Sequence, residues 1–238
     1  MADPPADSTE TQAADAAAPF TTEPVLSRLG RRLELEEDAR VLEFRLSGPS
    51  AAVQLARDIG CRVTVADASL EVLERVRLEA EAAGVLKQLT LLPLNGTPPS
   101  LPEAAFDLAI AGQRVSALGP LATQLRPSLF PGRGRLVAVV AARVGVARRD
   151  LTAWEQALGG PLRSPQAELA ELMRAGFEPE WAEALSEAEL VQRYGAAPAS
   201  AAEEAALMDV GPSGLSFLLV AGRRREPDEV PPPARDRG

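Results

Sequence analysis

Residues 40–67 read RVLEFRLSGPSAAVQLARDIGCRVTVAD, and the order of elements within them decides the fold. Val41-Leu42-Glu43-Phe44 is a short apolar run that stops in a loop of Ser, Gly and Pro. Beyond it, Ala51, Ala52, Leu55, Ala56 and Ile59 recur at three- and four-residue spacing, which predicts a helix closed by Gly60. Arg62 to Ala66 is rich in β-branched residues and runs into Asp67. Strand, tight loop, helix and second strand, with one acid at the end of each strand, form the opening unit of an α/β fold. An acid about twenty residues past such a loop is where nucleotide-binding α/β folds hold a ribose hydroxyl. Acids also end strands simply to meet water, and the sequence leaves both readings of Asp67 open.

The same alternation continues downstream. Ser69 caps a helix whose apolar face is Val72, Leu73, Val76, Ala80 and Ala83, closed at Gly84. Gln88 to Leu92 reads as a third strand broken by Pro93, and the loop NGTPPSLP over residues 95–102 suits neither helix nor strand. Phe106 to Ala111 is a fourth strand ending at Gly112. Residues 115–129 form a weak helix interrupted by Gly119-Pro120, and Arg135 to Ala141 is apolar enough for a central fifth strand. After a helical stretch at 151–158, Ser164-Pro165 starts another helix that stops at Gly176. Phe177 to Ala184 reads as a strand, residues 187–208 as interrupted helix, and Leu215 to Ala221 as a last strand. The expected fold class is α/β: a Rossmann-like, seven-stranded, mostly parallel sheet with helices on both faces and an antiparallel last strand.

Composition excludes several chemistries. The 238 residues contain no histidine and one cysteine, Cys61, so imidazole catalysis and an internal disulfide are ruled out and a zinc site has almost no donors. No metal is expected. Cys61, between a helix end and a strand, reads as a small buried hydrophobe. A net charge of −9 and 4 % aromatic residues argue against a nucleic-acid partner. No apolar run reaches membrane-spanning length, and the first residues have neither the basic nor the apolar region of a secretory signal, so the expected compartment is the cytoplasm. Residues 1–24 carry five acidic residues and no basic one, and read as a disordered, solubilising Ala/Pro-rich tail. The folded domain is expected over 25–222, followed by a charged, Pro-rich tail over 223–238.

The pieces VLEFRLSGPSAAVQLA, VTVADAS, LNGTPPSLPEAAFDLAIAG, LRPSLFPGRGRLVAV, RSPQAELAELMRAGFEPEW and SFLLVAGRR follow one another in a characteristic order. In this the chain resembles the class I S-adenosylmethionine-dependent methyltransferases of the small-molecule type, over about residues 37–223. The resemblance implies S-adenosylmethionine as cofactor. It matches Glu43 to the acid that positions the methionine part, Asp67 to the acid on the ribose hydroxyls, and Asn95 to the group that meets the adenine. Gly112 matches the end of the fourth strand, beside which the substrate enters. The family's first loop carries glycines at alternate positions, where this chain has Arg45, Ser47 and Pro49, its only glycine displaced to Gly48. Glycine is needed there for positive φ and for close backbone approach to the ligand. Arg45 also brings a cation toward the cofactor's ammonium and sulfonium, and two like charges about 4 Å apart cost about 4 kcal/mol at an effective dielectric of about 20. Glu43 is placed to pair with Arg45 rather than a ligand.

Other residues read more plainly. Asn95-Gly96 suits a turn, and Asp107 an exposed or capping aspartate. Trp154 and Trp181 suit core or lid packing. Arg148-Arg149 and Arg223-Arg224-Arg225 suit solvated ends. A nicotinamide oxidoreductase is disfavoured, because there is no GxGxxG and Tyr194 has no lysine four residues on. The leading expectation is a methyltransferase-fold protein with a degenerate loop and weak or absent methyl transfer, a pseudoenzyme acting as a binding or scaffold module for an unknown protein partner. The alternative is an active methyltransferase of a small-molecule acceptor, with Ser47 and Gly48 serving the loop in an altered register.

Overall fold

The computed structural model describes residues 33–44, 50–94, 101–111, 117–144, 151–184, 202, 205–206 and 214–226. Seven strands form one sheet: β1 (Arg40–Phe44), β2 (Arg62–Asp67), β3 (Leu89–Pro93), β4 (Leu108–Ala111), β5 (Arg135–Arg143), β6 (Phe177–Ala184) and β7 (Leu215–Arg224). Their spatial order is β3-β2-β1-β4-β5-β7-β6. The first five pair in parallel, and β7 runs antiparallel between β5 and β6. The mostly parallel sheet with an antiparallel last strand is as the sequence predicts. Chain order reverses between β1 and β4, which makes the carboxyl ends of these strands the topological switch point, where open α/β sheets bind ligands.

Strand alternation divides the apolar residues between two cores. Val41, Val63, Val65, Leu108, Ile110 and Val137 face one side, where they meet α1 (Ala52–Asp58), α2 (Leu70–Ala82) and α4 (Thr152–Ala157). Trp154 of α4 is fully buried in this core, and Trp181 is partly buried against it. Cys61 is buried there too, and burial pushes its thiol pKa up, so it behaves as a small apolar residue. Leu42, Phe44, Ala66, Ala109, Leu136 and Ala138 face the other side, under α3 (Leu118–Leu125) and α5 (Pro165–Arg174). Each such valine, leucine, isoleucine or phenylalanine contributes about 1.5–3 kcal/mol when fully buried. Among the described residues no helix joins β3 to β4. Leu101, Ala105 and Phe106 pack on the second core in its place. Thr64 and Thr90 are register partners on β2 and β3, and Thr90 is exposed. Threonine suits a strand face that is half wet.

Ser69 and Ser164 cap α2 and α5 as the sequence predicts, their hydroxyls accepting from the amides of Val72 and Ala167 at 3.3 Å. Four boundaries differ from expectation. Pro93 does not break β3 but ends it, since an edge strand tolerates a missing N–H there. Gly119-Pro120 does not interrupt a helix. It lies in the first turn of α3, where no backbone N–H has an intrahelical partner to lose. β4 begins at Leu108, and Phe106 stands apart in a bridge to Leu129. β7 runs on through Arg223 and Arg224, which the sequence reading gave to the tail and to solvent. Both pair across to β6, and Arg223 also forms an ion pair with Glu178. Of the expected 187–208 helix only Ala202, Ala205 and Ala206 are described, all helical.

Candidate functional site

Glu43 is the penultimate residue of β1, in register with Val65 of β2 and Ile110 of β4. That register turns its side chain toward α1, and it is 2 % exposed. The carboxylate accepts three hydrogen bonds from the chain itself. Oε2 accepts from the Ser50 hydroxyl at 2.5 Å and from the Ala52 amide at 3.1 Å, while Oε1 accepts from the Ala51 amide at 2.8 Å. Position 51, at the start of α1, is alanine and offers no side-chain cap, so Glu43 satisfies the helix end instead. Burial raises the Glu43 pKa, while the bonds from Ser50, Ala51 and Ala52 pull it back toward its ordinary value.

Asp67 ends β2, one strand further out, and is also buried. Its Oδ1 accepts from the Ser69 amide at 2.7 Å, and its main-chain carbonyl accepts from the Leu94 amide at 2.8 Å. The first bond is a local turn that holds the carboxylate at the strand tip. The structure thus brings Glu43 and Asp67 to neighbouring strand ends beside the switch point. Arg45, Ser47, Gly48, Asn95 and Gly112 lie outside the described residues, as do Arg148, Arg149 and Tyr194, so the Glu43–Arg45 pairing does too. Within the described residues, the partner of Glu43 that sequence reading missed is Ser50. An acid seven residues before a hydroxyl, across a tight loop into a helix without a cap, was the available signal.

A second buried acid was not singled out from sequence at all. Glu168 of α5 is fully buried, and its Oε2 accepts from the Leu118 amide at 2.8 Å, at the first turn of α3. Its other oxygen has no hydrogen-bond partner, and Arg163 Nε stands 3.9 Å from it. Beside it, Arg163 and Arg174 converge on Glu171 Oε1 at 2.6 and 2.5 Å. The guanidiniums of Arg174 and Arg163 hold the Glu171 carboxylate below the ordinary value. The open hollow there, about 460 Å³, is lined by Gly119, Thr123, Arg163, Glu171 and Arg174 among others. It is an open surface cleft whose charged lining residues are already paired with one another. Among the described residues no group of three or more acidic or cysteine side chains is placed to hold a metal ion, and no helix is long and apolar enough to cross a membrane.

No protein-family model matches the chain, and no curated protein sequence does. Solved structures do. A crystal structure of an S-adenosylmethionine-dependent methyltransferase from Geobacter sulfurreducens, in complex with S-adenosyl-L-homocysteine, gives a TM-score of 0.66 at 18 % identity and covers 89 % of this chain and 93 % of that one. Its counterpart from Thiobacillus denitrificans, with the same ligand, gives 0.65 at 20 % identity over 94 % and 100 %. The fold is that of the class I S-adenosylmethionine-dependent methyltransferases. The crystal structure of the 4+2 cyclase SpnF shares it, with a TM-score of 0.67 at 19 % identity over 85 % of this chain and 80 % of that one. Toward the cofactor that this methyltransferase fold implies, both acids stand at the right strand ends, and both are already engaged: Asp67 Oδ1 accepts from the Ser69 amide, and Glu43 accepts from Ser50, Ala51 and Ala52. Contact with a cofactor would have to compete with these bonds or share the carboxylates with them.

Proposed function

We propose that this methyltransferase-fold protein transfers methyl groups weakly or not at all, and acts as a binding or scaffold module. The observation that carries the reading is the Glu43 carboxylate, which is buried and already accepts from Ser50, Ala51 and Ala52. An acid so engaged has less to offer the ammonium of a methionine moiety, because most of its acceptor positions are taken. The loop sequence supports the same reading, since Arg45, Ser47 and Pro49 stand where small residues would let backbone approach a ligand. The 4+2 cyclase SpnF supports it from another side: a cyclase shares this fold, so the fold does not dictate the reaction.

The second reading is an active methyltransferase of a small-molecule acceptor. Asp67 favours it, through its place at the tip of β2. The Geobacter and Thiobacillus structures favour it as well, because both are described with S-adenosylhomocysteine bound. Titration calorimetry with S-adenosylmethionine and S-adenosylhomocysteine, beside thermal unfolding, decides between the two. A ligand at about a hundred times its dissociation constant stabilises by about 2.7 kcal/mol, which moves the melting temperature by several degrees at this size. The module reading expects no heat and no shift at millimolar ligand. Micromolar heat with a clear shift would overturn it in favour of the enzyme.

A further inference from the structure

At the amino end of the sheet, opposite Glu43 and Asp67, two arginines share one corner. Arg126 opens the 3-10 turn Arg126–Ser128 that follows α3, and Arg224 is the last residue of β7. Arg224 Nη1 donates to the carbonyl oxygens of Arg126 at 2.8 Å, of Pro127 at 3.3 Å and of Leu129. The Arg126 side chain lies across Gly176, where an added Cβ would come within 2.8 Å of its Nε and 3.0 Å of its Cζ. Gly176 has φ +86°, so a side chain is barred there both by conformation and by Arg126. The Gly176 carbonyl accepts from the Arg225 amide at 3.0 Å, and the next residue, Phe177, is in register with Arg224. The strand pairing and the turn therefore fix both side chains at one corner, Arg224 on the carbonyls of the 126–129 turn and Arg126 over Gly176.

Neither cation has a carboxylate in contact among the described residues. Among the described residues Arg224 donates to main-chain carbonyls alone, and Arg126 has no side-chain hydrogen bond or ion pair. Both Nε atoms are buried without a partner. Burial pushes the Arg224 pKa down and the neighbouring Arg126 charge adds to the shift, while Glu226 and Glu103 oppose it from beyond ion-pair reach. Carbonyl dipoles solvate a guanidinium without neutralising it. Two like charges held together in a partly dry corner therefore lower the cost of bringing in an anion.

We propose that Arg126 and Arg224 form an oxyanion site that takes a phosphate group. Nη2 of Arg224 and both outer nitrogens of Arg126 are the groups left to meet a ligand. Arg126 can pair in a fork with two oxygens of a phosphate while Arg224 donates singly, and a dianion suits two cations better than a carboxylate does. The site is independent of the cofactor question, since it lies at the other end of the strands.

Calorimetric titration of the full chain with inorganic phosphate, glycerol phosphate and acetate at constant ionic strength tests this. Wild type is expected to bind phosphate at least about tenfold more tightly than acetate. Arg126→Gln, which still lies flat on Gly176, is expected to weaken phosphate about tenfold or more while the fold and melting cooperativity persist. Glu103→Gln, which removes a repulsive acid on an exposed segment, is expected to tighten it a few-fold. Tighter binding of glycerol phosphate than of the free ion would assign the site to a phosphate ester, and the reverse to the inorganic ion. Absence of phosphate binding in wild type, equal binding of acetate, or unchanged affinity in folded Arg126→Gln would each overturn the proposal.

Discussion

The corner between β1 and α1 and the corner between α3 and α5 use the same device with different success. In each, a helix begins at an alanine that cannot cap it, Ala51 in one case and Ala117 in the other. In each, a buried glutamate from elsewhere accepts from backbone amides at the helix start that have no intrahelical partner, two at α1 and one at α3. Glu43 reaches residues only seven to nine positions along the chain, and all of its bonds close on one short loop. Glu168 reaches back fifty positions, makes one bond and leaves its other oxygen bare, with Arg163 too far to donate. A local cap can adjust its loop until every donor is satisfied. A long-range cap takes the geometry that helix packing leaves it, and keeps an unmet polar atom in the core.

Four substitutions would break or sharpen this contrast. The largest effect is expected from Glu43→Ala, which strands a buried hydroxyl and two amides. It should cost about 3–4 kcal/mol by urea unfolding at neutral pH, and a loss under about 1 kcal/mol would show that the corner relaxes without its acid. Glu168→Ala removes a single bond to Leu118, so about 1–2 kcal/mol is expected on the same assay. A cost equal to that of Glu43→Ala would erase the distinction drawn here. Ser50→Ala should cost about 1 kcal/mol, because Glu43 keeps both amides.

The smallest effect at neutral pH, and the most diagnostic, is that of Glu168→Gln. Burial raises the Glu168 pKa above its ordinary 4.5, outweighing the Leu118 amide and Arg163, which lower it. A carboxyl raised in the folded state contributes stability that is fully present below the unfolded value, about 4.5, and lost as pH rises through the folded value. The glutamine variant lacks that loss. It should be within about 1 kcal/mol of wild type at pH 7, and should gain on wild type as pH is raised from about 4.5. Parallel stability curves over that range would mean that Glu168 does not titrate differently on folding.

Much of the fold was legible because it is built from short periodic signals. The alternation in Arg62–Asp67, the unbroken apolar run of β5, and the serine caps at Ser69 and Ser164 act within one element, and each element formed where its signal stood. Misread boundaries came from partners distant in sequence. Arg223 and Arg224 look like a solvated tail until β6 and the 126–129 turn are placed beside them. Gly119-Pro120 looks like a helix breaker until Leu118 is seen to begin the helix. At the candidate site, Glu43 and Asp67 were found because strand ends are visible in the pattern. The occupants of their carboxylates were not, because hydrogen bonds across a loop leave no periodic trace.

The sequence alone determined the order of strands and helices, the exclusion of imidazole and disulfide chemistry, and the two acids at neighbouring strand ends. These follow from local propensity, from composition and from side-chain periodicity, which need no knowledge of the rest of the chain. Tertiary structure decided which groups those acids touch, which alanine-started helices borrow a cap from a distant glutamate, and where two arginines meet without a counter-charge. Such contacts join residues as many as ninety-eight positions apart, as between Arg126 and Arg224. Their energies depend on burial and orientation, which exist only once the sheet has brought the partners together.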